Sequence, residues 1–157
     1  MGIDVRLAKF DDLCALQALA ESSPNAAHWG TASWQQLFAT EASPRLVLLG
    51  QQQPCEAPLG FIVAACSGPD WEIENIVVAD EARGRGIASG LITEVLNRAR
   101  AASADSVCLE VRDSNTGARL LYEKLGFAAA GRRPAYYSEP SEDAVVYRFQ
   151  LLGSPAR

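Results

Sequence analysis

Apolar and polar positions alternate over residues 3–8, which predicts a short opening strand. Asp11 or Asp12 then stands where a helix cap belongs, ahead of Leu13, Leu16 and Ala20 at helical spacing. Ser22-Ser23-Pro24-Asn25 breaks that pattern, and a second short helix is expected after Ser33, with Trp34, Leu37 and Phe38 on one face. Arg45–Leu49 is a compact apolar strand. The polar stretch Gln51–Pro58, with two prolines, reads as a loop. Leu59–Cys66 and Trp71–Val78 read as strands around a turn at Ser67-Gly68-Pro69-Asp70.

The strongest periodic signal follows. Ala88, Leu91, Ile92, Val95, Leu96 and Ala99 recur at i, i+3, i+4, i+7, i+8 and i+11, one face of an amphipathic helix. Ser106–Val111 alternates as a strand. Ser114 or Asn115 can cap a helix ending near Lys124, with Gly126 as its left-handed terminator. Two closing strands are expected from Phe127 onward and over Asp143–Leu151. Three successive strands imply an antiparallel stretch, and the strand–helix–strand from Trp71 to Val111 implies a parallel crossover. The predicted fold class is α/β: a mixed, mostly antiparallel sheet flanked by helices, in one domain over residues 1–152 with a tail at 153–157.

Composition narrows the function. The chain has 157 residues, is 48% hydrophobic and carries a net charge of −5, so it lacks the basic excess expected of a nucleic-acid binder. Cys14, Cys55, Cys66 and Cys108 form no closely spaced pair, and His28 is the one histidine, so no metal site is expected. The first residues show no signal-peptide core and no apolar run is long enough for a bilayer, so a cytoplasmic protein with reduced thiols and no membrane contact is expected.

Candidate chemistry concentrates at Glu74–Leu91, where a strand passes through Gly84 and Gly86 into the amphipathic helix. A helix N-terminus offers unpaired N–H groups and partial positive charge, and glycines let a ligand approach that backbone. The pattern suits a phosphate group, with Arg83 and Arg85 adding charge. A dinucleotide-binding sheet is excluded on architecture. The spacing is GxGxxxG, some 80 residues of mixed structure precede it, and the 47 residues after Glu110 are too few for the rest of such a sheet.

Arg83-x-x-Gly86-x-Ala88 resembles the Q/R-x-x-G-x-G/A pyrophosphate loop of the GNAT acetyltransferases, with alanine in place of the second glycine. LEVRDSNTGARLLYEKLGF (109–127) and GRRPAYYSEPSEDAVV (131–146) resemble the RimI type of that family, the ribosomal-protein-alanine N-acetyltransferases. The likeness covers residues 71–150 well and the first 70 loosely. It implies acetyl-CoA as co-substrate. The main chain at Ile76, Val77 and Val78 is then expected to pair with its pantetheine arm. The N–H groups of Gly84, Arg85, Gly86, Ile87, Ala88 and Ser89 are expected to hold its pyrophosphate, and Asn115 to reach it from the next helix. Glu110 is implied as general base and Tyr122, twelve residues on, as general acid.

Local chemistry offers plainer readings. A lone strand glutamate is usually solvated or ion-paired, a helical tyrosine beside Leu121 and Leu125 is usually core, and Asn115 can simply cap its helix. The implied acceptor is the N-terminal α-amine of a protein, with a ribosomal-protein alanine foremost. Another amine, or a CoA-binding module without turnover, are the alternatives. His28 and Trp29 fall where the family binds acceptor. The stretch Tyr136-Tyr137-Ser138-Glu139-Pro140 departs from the family's YYPTP-like sequence beside that site.

Overall fold

The computed structural model describes every residue except Met1, Asn25, His28, 39–43, Pro54 and 152–157. His28 and the expected tail at 153–157 therefore lie outside the described residues. The elements run β1 (Ile3–Leu7), α1 (Leu13–Glu21), α2 (Thr31–Gln36), β2 (Arg45–Gln52), β3 (Cys55–Ala65), β4 (Asp70–Val78), α3 (Ile87–Ala101), β5 (Ser106–Arg112), α4 (Thr116–Leu125), β6 (Ala128–Tyr137) and β7 (Glu142–Gln150). They build one seven-stranded sheet in the order β1-β2-β3-β4-β5-β7-β6. Among the described residues only the β4–β5 pair is parallel, and α3 makes its crossover, as the order of predicted elements implies.

The sheet is covered on both faces. Ile87, Leu91, Ile92, Val95 and Ala99 of α3 pack with Trp71, Ile73, Leu109, Val111 and Tyr147 on one side. Leu13 and Leu16 of α1, Trp34 of α2 and Leu37 just after it cover Val47, Phe61, Val63 and Val77 on the other. The central strands β2, β3 and β4 thus send residues into both cores. Among the described residues no helix is long and apolar enough to cross a membrane.

Three local expectations need correction. The stretch Gln51–Pro58 is not simply a loop, because β2 runs to Gln52, β3 starts at Cys55, and Gln52 pairs with Cys55. Ladder pairing continues through Gly50 and Gly60 and overrides the polar composition. Helix α2 begins at Thr31, ahead of the expected Ser33. Asp12 stands at the N-cap of α1 but makes no capping bond there. Both its carboxylate oxygens accept from Arg6, at 2.9 Å each, and one also accepts from the Lys9 N–H at 2.7 Å. A bidentate charge-assisted pair outcompetes a single neutral cap.

Candidate active site

The site begins where two strands part. Parallel pairing of β4 with β5 stops at Ile73–Leu109, although β4 continues to Val78 and β5 to Arg112. The cause is local: a register shift between Val63 and Ala64 of β3 inserts Glu74 as an extra residue in β4, and bulges bend the strand that carries them. Beyond the bulge, the β5-facing edge of β4 has no ladder partner.

Which groups face that open edge follows from alternation. The Ala79 N–H donates to the Leu59 carbonyl at 2.8 Å, so Ala79 and Leu59 form a hydrogen-bonded pair. Two residues back, Val77 and Phe61 form the next such pair, and the intervening Ile76 and Val78 turn their N–H and C=O groups away from β3. Val77 therefore spends its main chain on β3, and its side chain is buried against α1 and α2. Of the three expected residues, Ile76 and Val78 present free main-chain groups to the gap and Val77 does not.

The loop before α3 supplies a second set of free donors. Gly84 (φ 78°) and Gly86 (φ 84°) both take the left-handed conformation that glycine adopts at little cost. The first helical bond of α3 runs from the Gly90 N–H to the Gly86 carbonyl. No side chain caps this helix. Among the described residues, the N–H groups from Gly84 to Ser89 consequently have no hydrogen-bond acceptor. Six successive donors at a helix start form an anion cradle. Ile87 fixes its position. The Ile87 side chain is fully buried, and its Cγ2 lies 3.1 Å from where a Cβ on Gly60 would stand. The same Cβ would meet the Val77 carbonyl at 2.7 Å, so only glycine fits beneath the loop. Arg83 and Arg85 are exposed. Arg83 pairs with Asp80 at 3.2 Å, and Arg85 donates to the Glu81 carbonyl at 3.0 Å and to Gln52.

Glu110 and Tyr122 belong to opposite faces of the sheet. Glu110 alternates with the buried Leu109 and Val111 and so faces the α1–α2 side. Its Oε1 is 2.8 Å from Arg133 Nε, an ion pair of the kind expected for a lone strand glutamate, with a partner that the sequence did not identify. The Tyr136 hydroxyl also donates to Glu110, and this bond, followed by burial, raises the Tyr136 phenol above its ordinary value. The Arg133 guanidinium sits 5.5 Å from the Tyr136 ring centre. Glu72 completes the group: burial first, then the neighbouring Glu110 and Glu74 charges, push its carboxyl upward.

Tyr122 is a core residue by packing, with its ring 6.0 Å from both Phe127 and Tyr147. Burial pushes its phenol up to about 12, with the nearby Tyr137 adding to the shift. Among the described residues its hydroxyl has no hydrogen-bond partner. It is nevertheless not sealed in, since Gln51 Oε1 is the one fully buried unpaired side-chain atom among them. Asn115 caps α4 through its Oδ1, which accepts from the Ala118 N–H at 3.3 Å, while its amide N–H groups have no partner among the described residues. The cap and a cofactor contact are thus compatible.

On the α1–α2 side of the sheet, Asn75 anchors the connection between the two helices. Its buried amide accepts from the Ala27 N–H at 3.2 Å and donates to the Ala27 carbonyl, tying the α1–α2 connection to β4. Trp29 packs edge-on against Trp34 at 5.2 Å. It lines a small cavity with Gln36, Leu37, Arg45 and Glu74, the last two ion-paired at 2.7 Å. Among the described residues no group of three or more histidine, cysteine or acidic side chains could hold a metal ion.

Residues 11–127 match the model of the acetyltransferase (GNAT) family. The chain belongs to this family. Its relatives include a Bacillus subtilis protein named a putative [ribosomal protein bS18]-alanine N-acetyltransferase, 35% identical over 49% of this chain and 51% of that protein. A Mycobacterium tuberculosis N-alpha-acetyltransferase RimI is 38% identical over 50% of this chain and 48% of the relative. The chain thus spans about half the length of these curated relatives. The GNAT fold is shared with the ribosomal-protein-S18-alanine N-acetyltransferase of Escherichia coli, at a TM-score of 0.82, 21% identity and 99% coverage of both chains. It is shared also with Arabidopsis thaliana NAA60 solved with a bisubstrate analogue, at 0.82, 19% identity and coverage of 98% and 100%. As a GNAT protein the chain departs from the family loop at Ala88, where the missing glycine falls inside α3 and needs no left-handed backbone.

Proposed function

We propose that this GNAT chain is an acetyl-CoA-dependent N-acetyltransferase that acts on the N-terminal α-amine of a protein, with the alanine terminus of a ribosomal protein as the foremost acceptor. The observation that carries the reading is the pairing of two sets of unpaired main-chain groups: the Gly84–Ser89 donors and the open edge at Ile76 and Val78. The first suits a pyrophosphate and the second an extended amide-bearing arm, which is how acetyl-CoA is built. The names of the relatives support the protein acceptor.

Acetyl-CoA supplies an acetyl group activated as a thioester. The residues fit its needs as follows. Gly84–Ser89 hold the pyrophosphate, with Arg83 and Arg85 at the rim. Asn115 offers its free amide N–H groups from the start of α4. The Ile76 N–H faces the gap as a preorganised donor for the thioester carbonyl oxygen, on which negative charge develops. Glu110 accepts a proton from the acceptor amine. The demand is modest because an α-amine has a pKa of about 8. Tyr122 donates a proton to the departing sulfur, and its raised pKa keeps it in the neutral, donating form. Glu110 works from the α1–α2 side of the sheet and Tyr122 from the α3–α4 side.

Acetyl-CoA titration followed by backbone amide NMR tests the cradle. The expected result is large shifts for Ile76, Val78 and Gly84–Ser89, with Val77 little affected. Shifts confined to other regions overturn the assignment.

A further inference from the structure

We propose that Arg133 is a specificity-determining residue of the acceptor site: its guanidinium holds the position on Glu110 that an acceptor ammonium must take, and its displacement is part of acceptor binding. The inference rests on the reading of Glu110 as the group that meets the acceptor amine.

The two partners differ in freedom. The Glu110 side chain is 15% exposed on an interior strand, whereas the Arg133 side chain is 59% exposed on β6 at the end of the sheet. Arg133 is also the last residue of the regular β6–β7 ladder. Its pairing with Ala144 is followed by a register shift, and the next pair is Tyr137–Glu142. Pro134 has no N–H to offer a ladder, and Ala135 lies in the left-handed region at φ 52°. A long, hydrated side chain at such a point swings away at little cost to the sheet.

The local charges make that swing matter. Arg133 pairs with Glu110, and its charge also reaches Glu72. Arg45 pairs with Glu74 and adds its charge to Glu72 after that of Arg133, while Arg112 is held by Glu142 and the Pro140 carbonyl, so Arg133 is the cation paired with Glu110. An ammonium arriving at Glu110 therefore exchanges one ion pair for another and gains little from charge alone. A neutral amine meets no such repulsion. An α-amine, with a pKa of about 8, is neutral in a fraction of about one tenth at pH 7, whereas a lysine ε-amine at about 10.4 is almost wholly charged. Arg133 thus favours α-amines over lysine-type amines at the same base.

The test uses the full chain with Arg133→Ala and Arg133→Lys, checked for unchanged melting. Initial rates are measured with acetyl-CoA and two peptides, one with a free N-terminus and no lysine, the other N-terminally blocked with one lysine. In Arg133→Ala, KM for the lysine peptide is expected to fall about two- to fivefold, the range of partly exposed ion pairs. The fall is expected to be larger at low salt, and smaller for the α-amine peptide. Arg133→Lys is expected to stay near the wild type. An unchanged or raised KM overturns the proposal. So does a fall in kcat at constant KM, which would make Arg133 an orienting residue for Glu110. Calorimetry of peptide binding in Arg133→Ala, with and without Glu110→Gln, separates this from the enzymatic reading. Tighter binding that requires the Glu110 carboxylate supports the proposal even if no acetyl is transferred, and no change in affinity rejects it.

Discussion

Replacing Tyr122 by phenylalanine deletes one hydroxyl and leaves the ring packed between Phe127 and Tyr147. A packing role and an acid role predict different losses. Because the hydroxyl has no partner among the described residues, its removal forfeits no hydrogen bond there. The stability change at neutral pH should stay below about 1 kcal/mol, the worth of a typical bond. Alkaline pH gives a second readout. Burial holds the folded phenol at about 12 against 10.0 for an exposed one, a difference worth about 3 kcal/mol. A raised folded pKa means that the stabilisation is complete below pH 10.0 and is lost as pH climbs through about 12. Tyr122→Phe should remove that alkaline decline in urea-unfolding midpoints. Chemistry gives the third readout. A phenol near 12 is a weaker acid than an alkyl thiol, so full transfer to a free thiolate would be uphill. The proton must move as the bond to sulfur breaks, and losing such a donor should slow single turnover by about 10²–10⁴. The basic limb of the wild-type pH profile, which an ordinary phenol would place near pH 10, should accordingly lie beyond the accessible range. A Phe variant that acetylates at the wild-type single-turnover rate would refute the acid assignment and leave Tyr122 as a packing residue.

Glu110→Gln should lower turnover by about 10²–10⁴ with acetyl-CoA affinity nearly intact, and the deficit should shrink as pH rises and the acceptor amine becomes neutral; a wild-type rate at pH 7 would make Glu110 structural. Gly86→Ala meets no atom within 4 Å, so its cost is the left-handed backbone itself, about 1–2 kcal/mol; calorimetry should show acetyl-CoA affinity reduced about tenfold as the loop relaxes. Asp12 is held below its ordinary 3.8, first by the Arg6 hydrogen bonds. Its contribution is therefore present above pH 3.8 and lost as pH falls through the lower folded value. Urea midpoints of Asp12→Asn should decline less steeply as pH falls below 3.8 than those of the wild type.

Features that depend on local periodicity were legible in the chain. The α3 face, the Gly126 terminator and the glycines before α3 all sit where spacing puts them, because helix geometry and left-handed backbone are properties of a few adjacent residues. The hairpin at Gln52–Cys55 was hidden by its polar composition, since the pairing that forms it comes from the partner strand. The gap between β4 and β5 was equally hidden, because it depends on a bulge at Glu74 that exists only once β3 and β4 are in register. That register also decides which of Ile76, Val77 and Val78 face the gap. The Arg133–Glu110 pair joins residues on strands separated by β7, beyond any local pattern. Glu72 could have been found: in Trp71-Glu72-Ile73 the alternation already sets it opposite two apolar residues, on the face that Glu110 shares. Asp12 misled for the converse reason, as its Arg6 partner lies on another element.

The most direct measurement of the central claim is acetyl transfer itself. The full chain is incubated with acetyl-CoA and a panel of alanine-terminated peptides, their N-terminally blocked counterparts and small amines, with mass spectrometry locating any acetyl group. The account predicts one acetyl on the α-amine of free peptides, matched by an equal release of CoA thiol, and none at the blocked termini. Acetyl-CoA that binds without acetylating any amine, or acetyl found on small amines alone, would contradict it.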